Sequence, residues 1–329
     1  MKLRELVISV TDYCNAKCIM CGIWRKEKRY GFDIDLLSKL PRYIKRITLT
    51  GGEPFLEDKL VAFIFKIKKL FPLAKVIINT NGLDTDLINK KIKEILKIEP
   101  HIIIRVSLDG IGSTHDRIRG YSGAYNRVIE TIDLLKKLKV KDLGLSFTII
   151  NENIEQLDDV YNLAQKLGVE FNCQVVHSSN FFFNQENQGI KDKETLKKEL
   201  ENLVNLELKT FSIYKLFKAY YHKKIWDYVN QDNQQYSCLA GSLFCYIDTE
   251  GGVYPCIALE EKMGNLKEND FSHIYNSKRA KEIRMIVKNC PKKCLLICRV
   301  GAMVRYNPYK ALLWVLKNKI KAHLGNIVL

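Results

Sequence analysis

Three cysteines, Cys14, Cys18 and Cys21, stand at C-x3-C-x2-C spacing directly after the apolar run 6–10. That spacing lets three thiolates converge. A cube of four irons and four sulfides needs one ligand per iron, so one iron stays open to a ligand that is not protein. The competing chemistry is zinc, which a cysteine triplet holds when a fourth ligand comes from elsewhere; the nearest histidine in sequence is His101. A second group, Gly51-Gly52-Glu53-Pro54-Phe55, follows another strand-like run, 47–50. Two glycines let a backbone approach a ligand closely, and Glu53 supplies an acceptor for a cationic group.

The cysteine triplet, the Gly-Gly-Glu-Pro stretch and their separation of about one strand–helix–strand unit resemble the radical S-adenosylmethionine (radical SAM) enzymes. The resemblance implies that Cys14, Cys18 and Cys21 hold a [4Fe-4S] cluster whose open iron is chelated by S-adenosylmethionine, with Gly51, Gly52 and Glu53 binding its amino group. One-electron reduction, from a donor such as flavodoxin or ferredoxin, would then cleave the sulfonium to a 5′-deoxyadenosyl radical that abstracts a substrate hydrogen. The stretches Asn79-Thr80-Asn81-Gly82 and Arg105-Val106-Ser107-Leu108-Asp109-Gly110 fall where this family places ribose and carboxylate contacts, which marks Asn81, Ser107 and Asp109 as cofactor contacts. Asn-Gly is also a turn signal in its own right.

A second set, Cys238, Cys245, Cys256, Cys290, Cys294 and Cys298, lies within 61 residues. Between Cys238 and Cys256 a turn at Glu250-Gly251-Gly252 predicts a hairpin that returns two thiols to one end. This stretch resembles the auxiliary-cluster region called SPASM, or its shortened relative called twitch. Two complete auxiliary clusters would need about eight ligands. Six cysteines therefore imply one auxiliary [4Fe-4S] cluster, held by Cys238, Cys256, Cys294 and Cys298 with Cys245 or Cys290 as substitutes, or two with open positions. Cys173 alone stands outside both sets; it and Cys245 are candidate hydrogen-atom donors to a substrate radical, against the commoner role of a buried structural thiol.

The elements that must position these residues follow from periodicity. Strand-like runs at 6–10, 44–50, 75–79, 102–108, 143–150 and 169–176 alternate with helical patterns at 58–70, 85–98, 125–138 and 154–167. Alternation of this kind predicts a parallel sheet with chemistry at the carboxyl ends of its strands. The expected fold is a partial (β/α)6 barrel over residues 1–190, a helical bridge over 191–232, an auxiliary-cluster domain over 233–305 and a basic amphipathic helix over 306–329. The first run begins close to Met1, so no leader-peptide-binding domain is expected ahead of the barrel. Residues 194–229 are dense in aromatics interleaved with Lys215, Lys218, Lys223 and Lys224; the expectation is a helix packing its rings inward and its lysines outward, and nucleic acid is not the expected partner.

The chain has 329 residues, 47% of them apolar, and a formal net charge of +16. No apolar run reaches membrane-spanning length and no secretory leader is evident, so ten cysteines, nine of them clustered at metal spacings, point to thiolate ligation in a reducing cytoplasm rather than to disulfides. From Lys278 to Leu324 there are 13 basic residues against one acidic residue, Glu282, which suits an anionic substrate or surface. In the terminal helix Leu312, Leu313, Leu316, Ile320 and Leu324 form one apolar side, with Lys310, Lys317 and Lys321 toward another. Packing of that side on the barrel is the leading expectation, and contact with an anionic membrane is the other. The substrate expected from the resemblance is a peptide or protein side chain to be oxidised, crosslinked or epimerised; the alternative is an anionic sugar, nucleotide or lipid. A zinc-holding, nucleic-acid-binding protein is the reading without catalysis.

Overall fold

The structure, a computed structural model, describes residues 3–179, 181, 189–230, 238–290, 294–326 and 328–329, with the backbone alone at 297–300 and 303. Six strands, β1 (Glu5–Thr11), β2 (Arg46–Gly51), β3 (Lys75–Thr80), β4 (Ile103–Ser107), β5 (Asp142–Ile149) and β6 (Glu170–Val175), pair in parallel in sequence order. Helices α1 (Leu60–Leu70), α2 (Thr85–Ile98), α3 (Ser113–Arg119), α4 (Ala124–Lys137) and α5 (Leu157–Leu167) make the returns. Strands covered on both faces read as nearly unbroken apolar runs. Accordingly Leu6, Ile8, Val10, Ile47, Leu49, Val76, Ile78, Ile104 and Val106 are buried in one core with the inward stripes of the helices, such as Ile88, Ile92 and Ile95 of α2.

Among the described residues the sheet does not close β6 onto β1. The free side of β1 is taken by a seventh strand, β7 (Phe244–Ile247), in parallel register from Glu5↔Phe244 to Ile8↔Ile247. The antiparallel strands β8 (Gly252–Tyr254) and β9 (Gly264–Asn265) extend it, giving nine strands in the order β6-β5-β4-β3-β2-β1-β7-β8-β9. The fold is thus a partial α/β barrel whose sheet runs on, unbroken, into the second cysteine region.

Between β6 and β7 the expected helical stretch is two helices, α6 (Lys193–Leu208) and α7 (Ile213–Val229). The expectation that the α7 lysines point outward is corrected for two of them. Lys218 is buried, its ammonium donating to Glu170 Oε2 at 2.6 Å and to the Phe171 carbonyl at 2.5 Å, and buried Lys224 donates to Asp227 Oδ2 at 2.7 Å. Paired in this way a lysine can lie inside a helical layer that would otherwise exclude it.

After β9 come α8 (Phe271–Asn276), α9 (Lys278–Lys288), α10 (Ile297–Tyr306) and α11 (Tyr309–His323). Arg305 of α10 ties the carboxyl-terminal helices to the first strand by a two-pronged bond to the Glu5 carboxylate, at 2.9 and 2.7 Å. Helix α11 packs on α6 and α7, but not by its leucines. The buried positions are Ala311, Val315, Asn318 and Ala322, and Trp314 lies 5.6 Å from the Tyr220 ring. Leu312, Leu313, Leu316, Ile320 and Leu324 are exposed, so the expected packing face is the reverse of the observed one.

Candidate active site and metal centres

The first cysteine loop leaves β1 at its carboxyl end and is held from three sides. Asp12, buried beneath it, accepts from Lys26 Nζ at 3.0 Å, from the Tyr30 N–H at 3.3 Å and from Thr249 Oγ1 at 2.9 Å, the last coming from the turn after β7. The end of α3 pairs backbone to backbone with the loop, Lys17 N–H to Arg119 carbonyl at 2.9 Å and Ile19 N–H to Ile118 carbonyl at 3.0 Å. On the third side, Gly52 N–H donates to the Thr11 carbonyl and Glu53 N–H to the Tyr13 carbonyl, each at 2.7 Å. That approach requires glycine. A Cβ on Gly52 would stand 2.0 Å from the Tyr13 carbonyl oxygen, and Gly51 adopts φ +121° with Thr11 and Ser9 atoms 2.3 and 2.5 Å from where its Cβ would be.

Cys18 is buried, Cys14 and Cys21 are half-buried, and the three lie within electrostatic reach of one another. Burial pushes the Cys14 thiol up to about 12, and Glu53, then Cys18 and Cys21, add to it; burial and then Cys18 push Cys21 up to about 11. Burial raises Cys18 as well, against the opposing pull of Arg119. Three thiols that would repel one another as thiolates need a cation to deprotonate, and the iron of a cluster would provide it. By residue type three cysteines suit a cluster with one open corner, although among the described residues no three such side chains are drawn together to metal-holding distance.

Among the cofactor contacts expected from sequence, Asn81 is at the loop: its amide donates to Asn15 Oδ1 at 2.7 Å and lies 3.8 Å from Cys14 Sγ. Glu53 is fully committed within the chain. Its carboxylate accepts from the Thr80 hydroxyl at 2.8 Å, the Asn81 N–H at 2.6 Å and the Phe55 N–H at 3.1 Å, and burial still pushes it up to about 7. It braces the end of β2 against the end of β3. Asp109 is buried too, with its carboxylate on Arg119 Nη2 at 2.5 Å and on the Thr148 N–H at 2.7 Å. Ser107 ends β4 in register with Ser146 and is half-buried.

Arg119 is the residue that sequence reasoning missed. It is buried between the Asp109 carboxylate and Cys18 Sγ, 3.5 Å away, and although burial alone would weaken its charge, Asp109 and Cys18 outweigh that and hold it as a guanidinium. The one local signal is the helix start after Gly110-Ile111-Gly112, which α3 occupies.

In the second set, burial pushes Cys256 up to about 12, and the nearby thiols of Cys294 and Cys238 add to it. Those three cysteines share one neighbourhood. It abuts the end of β6: His177, whose pKa burial pushes down to about 4, hydrogen-bonds the Leu295 backbone, and its ring is 5.6 Å from Tyr228 of α7. Cys290 follows α9, and the side chain of Cys298 lies outside the described residues. Cys245 is wholly buried on β7 opposite Leu6, in electrostatic reach of Cys256 and Arg284. Its neighbour Tyr246 points to the other face, as strand alternation requires, and packs there with Ile23, Cys14, Cys21 and Phe181. Phe181 meets Tyr246 and Tyr254 edge-on at 5.3 and 4.7 Å, an aromatic wall between the first cysteine loop and the hairpin.

Cys173 sits on the helix-covered face of β6. Its strand neighbour Phe171 meets the Tyr161 ring of α5 edge-on at 5.5 Å and lies 6.3 Å from the His222 ring of α7, and the Cys173 thiol is in electrostatic reach of His222. The half-buried Asn172 and Gln174 occupy the opposite face. Neither Cys173 nor Cys245 lies on the face of its strand that fronts the aromatic wall.

The profile of the Radical SAM superfamily matches residues 8–164, and that of the SPASM iron-sulfur cluster-binding domain matches residues 238–299. The chain is 25% identical over 304 residues to an AdoMet-dependent heme synthase of Methanosarcina barkeri, covering 83% of this chain and 82% of that one. It is 25% identical over 342 residues to a cysteine-type anaerobic sulfatase-maturating enzyme of Clostridium novyi, covering 93% and 89%. Its fold resembles that of Streptococcus suis SuiB bound to the precursor peptide SuiA, with a TM-score of 0.64 and 19% identity over 86% of this chain and 67% of that chain. With both cysteine sets carried on one sheet and both profiles matched in order, this chain belongs to the radical SAM enzymes and carries a SPASM iron-sulfur domain.

Proposed function

We propose that this radical SAM enzyme modifies a side chain of a peptide or protein. The observation that carries the proposal is the likeness to the sulfatase-maturating enzyme along nearly the whole of both chains, barrel and SPASM region together. When bound, the Cys14/Cys18/Cys21 cluster and S-adenosylmethionine supply reductive cleavage of the sulfonium and removal of one substrate hydrogen. The chain's own part is to hold and to enclose. Arg119 sets a fixed positive charge against Cys18, and Asn81 orients the loop through Asn15. Glu53, spent on bracing the strand ends, leaves the backbone of residues 51–53 to receive the amino group. The wall of Phe181, Tyr246 and Tyr254 offers an apolar side to a substrate chain and keeps water from the reacting carbon. Cys238, Cys256, Cys294 and Cys298 are proposed to hold the auxiliary cluster. A low-potential carrier such as flavodoxin or ferredoxin is the proposed electron source. The placement of Cys173 and Cys245 away from the wall favours net oxidation over return of a hydrogen atom by either thiol.

A second reading, chemistry on an anionic small molecule, is favoured by the heme synthase likeness and the +16 charge. Anaerobic turnover with deuterated substrates separates the two. Deuterium passing from a peptide into 5′-deoxyadenosine is the expected result; transfer only from an anionic small molecule would replace the peptide proposal. The variant with Cys14, Cys18 and Cys21 all changed to Ala should form no 5′-deoxyadenosine yet retain auxiliary iron. Undiminished cleavage by that variant would remove these cysteines from the chemistry.

A further inference from the structure

The exposed face of α11 has no counterpart in the radical chemistry. At about 100° per residue, Tyr309, Leu312, Leu313, Leu316, Ile320 and Leu324 fall within an arc of about 120°. Their exposures run from 45% at Leu312 to 73% at Leu324. The helix's buried residues, Ala311, Val315, Asn318 and Ala322, lie on the opposite arc. The helix therefore meets the protein through Ala311, Val315, Asn318 and Ala322 beside Trp314 and turns its leucines and Ile320 to solvent, the reverse of the arrangement that stabilises a surface helix. Lys317 and Lys321 border the strip on one side. Lys319 borders it on the other, where its ammonium bonds the carbonyls of Leu208 and Thr210 and lies 4.9 Å from the ring centroid of Phe211. Phe211, 89% exposed at the turn between α6 and α7, adds a bare aromatic ring on the Lys319 side of the strip.

From this geometry we infer that α11 docks the enzyme on the surface of an anionic lipid bilayer, lying in the interface with its leucines among the acyl chains. Charge selects this occupant. No acidic residue follows Glu282 in the sequence, so nothing on the helix or near it in sequence opposes a layer of phosphate headgroups, and each lysine adds attraction there. A second copy fits worse, because a two-fold pairing of these helices would bring lysine rows together with no carboxylate on the helix to answer them. No helix among the described residues is long and apolar enough to cross a membrane, so the contact is lateral. Tyr309 at the start of the helix suits the headgroup level, where aromatic rings with a polar tip reside.

The test uses the iron-loaded full chain and vesicle flotation, with equal parts phosphatidylglycerol and phosphatidylcholine against phosphatidylcholine alone. The wild type should float with the anionic vesicles at low salt and less so at high salt. Leu316→Asp with Ile320→Asp should lower the partition about a hundredfold, and Lys317→Glu with Lys321→Glu about tenfold with a weaker salt dependence. All four positions lie on the outer side of α11, so both variants should keep the iron content, melting temperature and 5′-deoxyadenosine formation of the wild type. Three results would overturn the inference. These are no flotation of the wild type at low salt, flotation unchanged by the double aspartate variant, and a wild-type dimer in sedimentation that this variant dissolves, which would assign the strip to a second copy.

Discussion

His222 and Glu207 form a wholly buried pair, Nδ1 to Oε2 at 2.7 Å, that pins α7 to α6 behind β6. Replacing His222 by Leu leaves the carboxylate inside without its cation, and breaking one side of a buried ion pair costs about 3–5 kcal/mol. The titration gives the same scale by a separate route. Burial disfavours the imidazolium, but Cys173 and Glu207 outweigh it and carry the pKa from 6.5 up to about 10. A histidine raised in this way contributes its full stability below pH 6.5 and loses it as pH climbs through 10. At about 1.4 kcal/mol per unit across that window, the contribution is at most about 5 kcal/mol. Anaerobic urea unfolding of the iron-loaded wild type and His222→Leu, followed by the fluorescence of Trp226 and Trp314, should show a gap of about 3–5 kcal/mol at pH 6.5 that narrows steadily toward pH 10. A gap under about 1 kcal/mol, or one that does not change with pH, would refute the reasoning. Glu207→Gln combined with His222→Leu should recover part of the loss, since the uncompensated charge is then gone.

Arg119→Met should destabilise the fold by about 3 kcal/mol by stranding Asp109, and the loss of a donor to Cys18 should make the reduction potential of the first cluster more negative in a redox titration. Gly52→Ala should force β2 from the cysteine loop and abolish S-adenosylmethionine binding in equilibrium dialysis; near-normal affinity would contradict the 2.0 Å approach. Glu53→Gln sets an amide N–H against the Asn81 N–H, at an expected cost of about 1–3 kcal/mol in chemical unfolding at pH 8. Because burial raises Glu53 to about 7, its carboxylate weakens the wild-type fold as pH rises from 4.5 through 7. The stability difference between wild type and this variant should therefore be smaller at pH 8 than it would be for an unshifted carboxylate.

What was legible in the sequence was what local pattern encodes. The six barrel strands appear where apolar runs predict them, and α2 spans Thr85–Ile98 as its three- and four-residue spacing requires. The cysteine triplet was readable because its chemistry lies in the spacing itself. Less legible was anything decided by a partner distant in the chain. Asp109 reads as a cofactor contact until Arg119 is found beside it, and nothing in either residue's neighbours announces the pair. Lys218 reads as solvent-facing until Glu170, 48 residues away, neutralises it. On α11 periodicity correctly separates an apolar arc from the rest, but which arc meets the protein is settled by how closely α6 and α7 approach, and alanines allow the closer contact. The hairpin after Cys238 was foreseen; its pairing with β1, across more than 230 residues, has no local signature.

That pairing has a consequence for what the second cysteine region is for. An uncovered strand edge offers a row of free N–H and C=O groups on which other chains can template, and proteins with such edges tend to aggregate. β1 would be an edge of this kind if β7 were absent, since β6 does not return to it. Through Phe244–Ile247 the SPASM region thus acts as a selvedge, finishing the barrel's raw border as well as holding iron. The two duties are separable. Cysteine substitutions that discharge the auxiliary iron leave the β1–β7 ladder in place and should leave a monomer in solution, whereas a chain cut before Cys238 keeps every ligand of the first cluster and exposes the border, so it should be lost to association before its chemistry can be measured.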